Sequence, residues 1–417
     1  MRIEQTNPFA AGTKITLDPL GQYCTAIMNP KSPGNFTISV HLKQPLHTEA
    51  LQTAVNDLFR RLPFLNGKVV EGEFFYEHEI LEHPPTIIQD AENEIFIEYY
   101  NKGEGHFIRV LYGENHFKTE AVHTMIDGRG LTAFTRALLV RYLEVLGVKV
   151  SKSDIIDCAD MPVAEEVEDA YERYTTSQHN ATPEANEECD GGIETKEVYY
   201  RQGSTEADTT ATTLKFDLSK IKAKSKKYKT TINGYIFAHL MEVLEEERNE
   251  RGIDNPITGL SVVDCRTYLP TKTFRNFTAA VVIEMPEKAS FEEKVNNINN
   301  TFKGIDAAYI QKDINTFCDA FQNKELQPLS VLKKQFADMA EAEQRCFTTH
   351  FSNIGLVKFP AEVEPFVDYM ELVLCPIPGD RAYAFGCISV GNVLTLTVTK
   401  TVAGNKVIEN LSDRLKK

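Results

Sequence analysis

The residues best placed to do chemistry lie in the run Phe117-Lys-Thr-Glu-Ala-Val-His-Thr-Met-Ile-Asp-Gly-Arg-Gly-Leu131. The stretch before His123 reads as a strand, Asp127, Gly128 and Gly130 as a turn, and the residues from Leu131 as a helix. A strand end followed by a glycine-containing turn lets a side chain reach a cleft and lets backbones approach closely. An imidazole titrates near neutral pH. It can take the proton of an attacking alcohol or amine and return it to a leaving thiolate. Asp127, four residues on, could orient the ring, or hold the turn by pairing with a distant arginine. The same spacing also fits a histidine satisfied on a half-buried strand, and one His-x-x-x-Asp match does not separate these readings.

The elements that must position this run alternate strands and helices. In the first part, strands are expected over 36–42, 67–70, 74–76, 95–100, 107–112 and 116–123. Helices are expected over 49–62, capped by Thr48, and over 131–146, where Leu131, Phe134, Leu138, Tyr142 and Val145 keep the helical period. Residues 164–174 suit a short acidic helix, and 177–193 are polar with Pro183, Gly191 and Gly192. The second part restarts with a strand over 213–217 and helices over 218–228 and 230–247. Strands follow over 257–265 and 279–285, then helices over 291–302 and 329–343. Strands over 369–375, 382–390 and 393–401 and a helix over 406–416 end the chain. This organisation predicts an N-terminal subdomain over 1–160, an acidic linker or mobile loop over 161–210 and a C-terminal subdomain over 211–417. Both subdomains are α+β.

The chain has 417 residues, 42% of them hydrophobic and 10% aromatic, enough for two cored units. A net charge of −15 disfavours nucleic acid as a partner. No stretch approaches a bilayer span, and the N-terminus lacks the pattern of a signal peptide, so a cytoplasmic protein is expected. The eight cysteines, Cys24, Cys158, Cys189, Cys265, Cys318, Cys346, Cys375 and Cys387, lack Cys-x-x-Cys spacing and read as scattered thiols. No zinc-ligand cluster or phosphate-binding glycine loop is present, so neither a metal nor a redox cofactor is expected.

His123-Thr-Met-Ile-Asp-Gly128 resembles the His-His-x-x-x-Asp-Gly motif of the chloramphenicol-acetyltransferase-like superfamily, which includes peptide-synthetase condensation domains and alcohol acetyltransferases. Leu20-Gly-Gln-Tyr23, Leu62-Pro-Phe-Leu-Asn66, Ser261-Val-Val-Asp-Cys-Arg266, Arg275-Asn-Phe277 and Ser352-Asn-Ile-Gly355 resemble further segments of that group. The resemblance implies two subdomains, each a mixed sheet with helices, forming a sandwich with a channel between them. It implies His123 as general base and Asp127, Gly128 and Arg266 as structural motif residues, with Arg266 the partner of Asp127. Met125, Ser352 and Asn353 are expected at the substrate. Ser352 and Asn353 could donate to an oxyanion or shape the pocket, and a strand-end cap is equally open. Val122 replaces the first motif histidine. The Asp-Phe-Gly-Trp-Gly segment of the plant branch is absent.

The reaction so implied moves an acyl group, acetyl above all, from acyl-CoA to a small-molecule alcohol or amine acceptor. The alternatives are a condensation-type enzyme whose donor rides on an acyl carrier protein, and a non-catalytic binding protein on the same fold. Acyl-CoA is favoured because no carrier or adenylation segment adjoins. The lysines at 220, 222, 224, 226, 227 and 229 read as a solvated helix face or as a patch that steers CoA phosphates or an acidic carrier. His239 and Cys265 read as packing.

Overall fold

The computed structural model describes residues 9–29, 34–90, 105–152, 154–176, 209–321, 325–344, 346–375 and 382–417. The strand expected over 95–100 and the polar stretch 177–193 lie outside them. In chain order the elements begin with β1 (Lys14–Thr16), α1 (Pro19–Ile27), β2 (Asn35–Leu42) and α2 (Thr48–Arg61). Next come β3 (Gly67–Glu71), β4 (Tyr76–Ile80), β5 (Ile88–Gln89), β6 (Ile108–Tyr112), β7 (His116–Val122) and α3 (Gly128–Val145). After α4 (Ala170–Tyr174) follow β8 (Thr210–Asp217), α5 (Leu218–Lys227), α6 (Ile232–Glu250), β9 (Thr258–Asp264) and β10 (Thr278–Glu284). The chain continues with α7 (Phe291–Lys303), α8 (Ala307–Phe321), α9 (Leu329–Gln344) and β11 (Thr349–Val357). It ends with β12 (Val367–Leu374), β13 (Tyr383–Val390), β14 (Val393–Lys400) and α10 (Lys406–Lys416).

These elements build an α+β protein of two halves, each a mixed sheet with helices. One sheet has the order β12-β2-β7-β6-β5, the other β10-β9-β11-β13-β14-β8, and β1-β4-β3 forms a small third sheet. Helices α2 and α3 cover the first sheet. Leu51, Val55, Leu58 and Phe59 of α2 are buried with Leu131, Phe134, Leu138 and Tyr142 of α3 in one hydrophobic cluster. A second cluster joins α6 to β13 and β14 through Ile236, Leu240, Val243, Phe385 and Leu396. At roughly 1.5–3 kcal/mol for each fully buried large apolar side chain, either cluster outweighs any single polar contact.

The halves are not consecutive in sequence. β12, from the region expected to form the C-terminal subdomain, pairs antiparallel with β2, placing Leu374 opposite Phe36 and Met370 opposite Val40. It also seats on β13, where a β-carbon added to Gly386 would lie 2.1 Å from the Leu372 carbonyl oxygen. Only a residue without a side chain lets the two sheets come this close.

The segment expected as an acidic linker or mobile loop, 161–210, is packed against both halves where it is described, over 161–176. Arg61 binds Glu166 with two parallel bonds of 2.8 and 2.7 Å, and both side chains are buried. Tyr171 is buried in the second cluster and its hydroxyl donates to the Thr278 carbonyl at 2.8 Å. A charge-assisted fork and a buried aromatic hold this segment as a strap across both halves. Two smaller expectations also change. His47, not Thr48, is the N-cap of α2, and β4 begins at Tyr76 rather than spanning 74–76. No described helix is long and apolar enough to cross a membrane.

Candidate active site

β7 ends at Val122, and α3 begins at Gly128, so His123 opens the turn between a sheet and the helix that covers it. Its backbone N–H donates to the Gly34 carbonyl at 3.0 Å, which ties the turn to the segment entering β2. The residue is half-buried. Its ring lies 5.2 Å from that of Phe36, whose neighbour across the sheet is Leu374 of β12. Nδ1 is covered and makes no hydrogen bond of good geometry, although the residue's own carbonyl and the Asn276 amide lie near it. Burial pushes the imidazole below the usual histidine value of 6.5, against the opposing pull of the Asp127 carboxylate. The ring is therefore held neutral, the form that accepts a proton.

Asp127 is fully buried and does not reach the His123 ring among the described bonds. One oxygen caps α3 by accepting from Gly130 N at 2.8 Å. The other accepts from Arg266 Nη1 at 2.8 Å and from Phe277 N at 2.9 Å. Arg266 uses its remaining donors on Asp264 Oδ1 (3.0 Å), on the Thr273 carbonyl from Nε (3.2 Å) and Nη2 (3.1 Å), and on the Arg275 carbonyl (2.6 Å). Burial opposes the charge on this guanidinium. The Asp127 and Asp264 carboxylates outweigh it and raise its pKa further. The pair thus pins the first turn of α3 to the start of β10, and the two halves meet at the motif.

A second polar bridge was not anticipated from the sequence. Asp18 is fully buried, caps α1 through Gly21 N at 2.8 Å and accepts from the Asn276 amide at 3.0 Å. Asn276 also donates to the Thr124 carbonyl at 3.2 Å, and Arg275 lies 3.5 Å from Asp18. Burial raises the Asp18 carboxyl to about 6 despite that guanidinium. The available signals were Asp18-Pro19, a capping residue before an N1 proline, and the Arg275-Asn-Phe277 run. A β-carbon on Gly21 would lie 2.0 Å from the Thr124 carbonyl oxygen. Gly21→Ala should therefore push α1 off the motif turn and cost about 1–3 kcal/mol, as overpacking does. A chemical melt measures it, and an unchanged midpoint would show that α1 is not pressed against this turn.

The other expected site residues are placed less uniformly. Met125, expected at the substrate, is fully buried in the first hydrophobic cluster. Val122, at the position of the first motif histidine, is buried in the same cluster. Ser352 and Asn353 lie half-buried on β11 beside a bulge. The Asn353 side chain is engaged there, donating to Asn233 Oδ1 at 3.2 Å and accepting from Gly355 N at 2.9 Å. Ile354, extruded by the bulge, meets Gly128: a β-carbon on that glycine would lie 2.9 Å from Ile354 Cδ1. His239 stacks on Phe291 at 4.2 Å in the second half, and Cys265 is buried with its thiol pushed up by burial. Among the described residues no cluster of His, Cys, Asp and Glu could hold a metal ion.

No protein family's sequence profile matches the chain, and no curated protein matches it by sequence. Solved structures do match over nearly its whole length. Polyketide synthase associated protein 5 from Mycobacterium tuberculosis aligns with a TM-score of 0.64 at 14% identity, covering 97% of this chain and 98% of that one. The epimerization domain from the third module of tyrocidine synthetase B aligns with a TM-score of 0.62 at 11% identity, over 97% and 94%. The starter condensation domain of rhizomide synthetase, solved with C8-CoA and Leu-SNAC, aligns with a TM-score of 0.59 at 10% identity, over 97% and 94%. The chain thus has the condensation-domain fold, the two-part architecture of chloramphenicol-acetyltransferase-like proteins.

Proposed function

We propose that this protein transfers an acyl group from a pantetheine-type thioester to an alcohol or amine, with His123 as general base, and that the donor is borne by a carrier protein. The observation that carries the reading is a neutral, half-buried imidazole at the strand end where both halves meet, on a turn locked by Asp127 and Arg266. His123 takes the acceptor's proton as its oxygen or nitrogen bonds to the thioester carbonyl. The tetrahedral intermediate collapses with cleavage of the carbon–sulfur bond, and the imidazolium returns the proton to the thiolate. Because Nδ1 is covered, Nε2 is the nitrogen for this work. The transfer is direct, through a channel between the halves, and needs no metal or redox cofactor.

The carrier-bound donor replaces acetyl-CoA as the favoured reading because the structural likenesses include domains of peptide and polyketide synthetases. The complex with C8-CoA keeps acyl-CoA as the second reading. None of the seven described cysteines is joined in a disulfide, and the cytoplasmic setting is part of the same proposal. Thiol release should be followed with one acyl group presented on CoA, on pantetheine and on a carrier protein, against a panel of alcohols and amines. A kcat/KM highest for the carrier-borne donor supports the first reading, one highest for acyl-CoA the second. No thiol release above the enzyme-free rate with any donor rejects both.

The pH dependence has a defined sign. A base whose pKa lies below 6.5 stays competent on the acid side of neutrality. The acid limb of the kcat/KM profile should therefore have its midpoint below 6.5, with a plateau across pH 7–8. A midpoint at or above 6.5 would contradict the burial of the ring in the free enzyme.

A further inference from the structure

Two buried polar atoms at the motif turn have no hydrogen bond of good geometry among the described residues, and they are complementary. His123 Nδ1 is one and Asn276 Oδ1 is the other. The Asn276 amide lies beside the imidazole, at the covered nitrogen. Asn276 is itself fully buried. A neutral imidazole with its proton on Nδ1 offers a donor there, and an amide oxygen offers an acceptor. Left unmet, each buried group would cost about 1–3 kcal/mol.

The neighbours of Asn276 fix which way its amide points. Nδ2 lies 3.0 Å from Asp18 Oδ1, 3.3 Å from Asp18 Oδ2 and 3.2 Å from the Thr124 carbonyl oxygen. All three are acceptors. Turned over, the amide would set its oxygen against a carboxylate and a carbonyl, so Nδ2 faces them and Oδ1 faces away. Asp18 is itself held in place: it is fully buried, caps α1 through Gly21 N at 2.8 Å and has Arg275 at 3.5 Å. The Thr124 carbonyl belongs to the residue after His123, so the amide is fastened to the same turn whose ring it adjoins. The carbonyl of His123 also lies near Nδ1 and is the competing acceptor.

We propose that Asn276 is a positioning residue for the acyl transfer: its Oδ1 accepts from His123 Nδ1–H, and Asp18 holds the amide in the orientation that allows this. The proposal rests on the acyl-transfer reading and names what keeps the proton off Nε2. The hydrogen bond at one ring nitrogen decides which tautomer a histidine adopts. With the proton on Nδ1, Nε2 keeps its lone pair for the proton of the acceptor. As the imidazolium forms, the bond from Nδ1 becomes charge-assisted and strengthens. Catalytic hydrogen bonds are often long or poorly aligned in a free enzyme and tighten in the complex. That fits two partners that stand adjacent here without good geometry.

NMR of the full chain with isotopic nitrogen in its histidine rings tests this without any substrate. The His123 signals are those missing from His123→Ala. At a pH where the ring is neutral, the unmodified protein should carry the His123 proton on Nδ1. Asn276→Leu, close in volume but without an acceptor, should spread the proton over both nitrogens. The same variant should leave the KM for the donor unchanged and lower kcat roughly 10–100-fold, the scale on which losing the outer hydrogen-bond partner of a histidine lowers activity. Asn276→Asp should restore both readouts at least in part, since a carboxyl that shares a proton with Asp18 still accepts from Nδ1. Should Asn276→Leu fail to fold, Asn276→Ser, too short to meet the ring and Asp18 together, carries the same expectation. A purely structural Asn276 would lower the melting temperature and leave the tautomer alone. The proposal is overturned if the unmodified protein carries the proton on Nε2, or if loss of the amide leaves it on Nδ1, which would give the role to the His123 carbonyl. It is also overturned if the tautomer shifts with kcat unchanged, or if Asn276→Asp restores neither readout. Its failure is separable from that of the parent reading. An unshifted tautomer removes the role of Asn276 whatever the activity, whereas full turnover by His123→Ala removes the general base itself.

Discussion

His123→Ala is expected to lower turnover about 10²–10⁴-fold, the span that a positioned general base contributes. Binding of the donor should change little, because the ring acts on the acceptor's proton and not on the arm that carries the acyl group. The fold should survive the change. The residue is half-buried, Nδ1 has no hydrogen bond of good geometry to lose, and the backbone bond to Gly34 is kept by alanine. Single-turnover kinetics with a saturating donor, beside a thermal melt, separate loss of chemistry from loss of structure. A variant that turns over at the parental rate would remove His123 as the general base, whatever the protein's activity.

The second large effect is on stability. Arg266→Ala strands the Asp127 carboxylate in a fully buried position, with Gly130 N and Phe277 N as its remaining donors. Removing one partner of a buried pair costs about 3–5 kcal/mol, a large share of the 5–15 kcal/mol that holds an ordinary domain. Asp127→Asn should cost less, since an amide oxygen can still cap α3 while the attraction to Arg266 is lost. The double variant Asp127→Asn with Arg266→Ala should cost less than the two single changes together, with a coupling of about 0.5–3 kcal/mol. Denaturant midpoints for the three proteins decide this. Strict additivity would mean that the contact contributes no energy of its own.

How much of this was legible beforehand varies from element to element. The period of Leu131, Phe134, Leu138 and Tyr142 marked α3, and burial of all four residues follows from it. The helix starts three residues earlier than the period suggested, because Asp127 caps it and lets Gly128 and Gly130 into its first turn. The helix α8 was not anticipated. Its buried face of Ile310, Ile314, Cys318 and Phe321 is regular but includes Asn315, and the stretch lies between two other helices without a strong start signal. The strand β11 was seen only as Ser352-Asn-Ile-Gly355, since its bulge breaks the alternation that identifies a strand. Met125 shows a related limit, since its burial was not legible in the sequence. A residue inside a motif looks functional until the fold shows which way the turn carries it.

The sequence by itself determined the α+β character, most helices, and the turn that presents His123, because these follow from local periodicity and capping. Tertiary structure alone decided that β12 joins the sheet of the other half, that Arg61 and Glu166 strap the middle segment down, and that Asp18, Arg275 and Asn276 meet behind the motif. Those contacts join residues separated by about a hundred positions or more, and their partners are chosen by which surfaces can be buried together, a property that no short window of sequence carries.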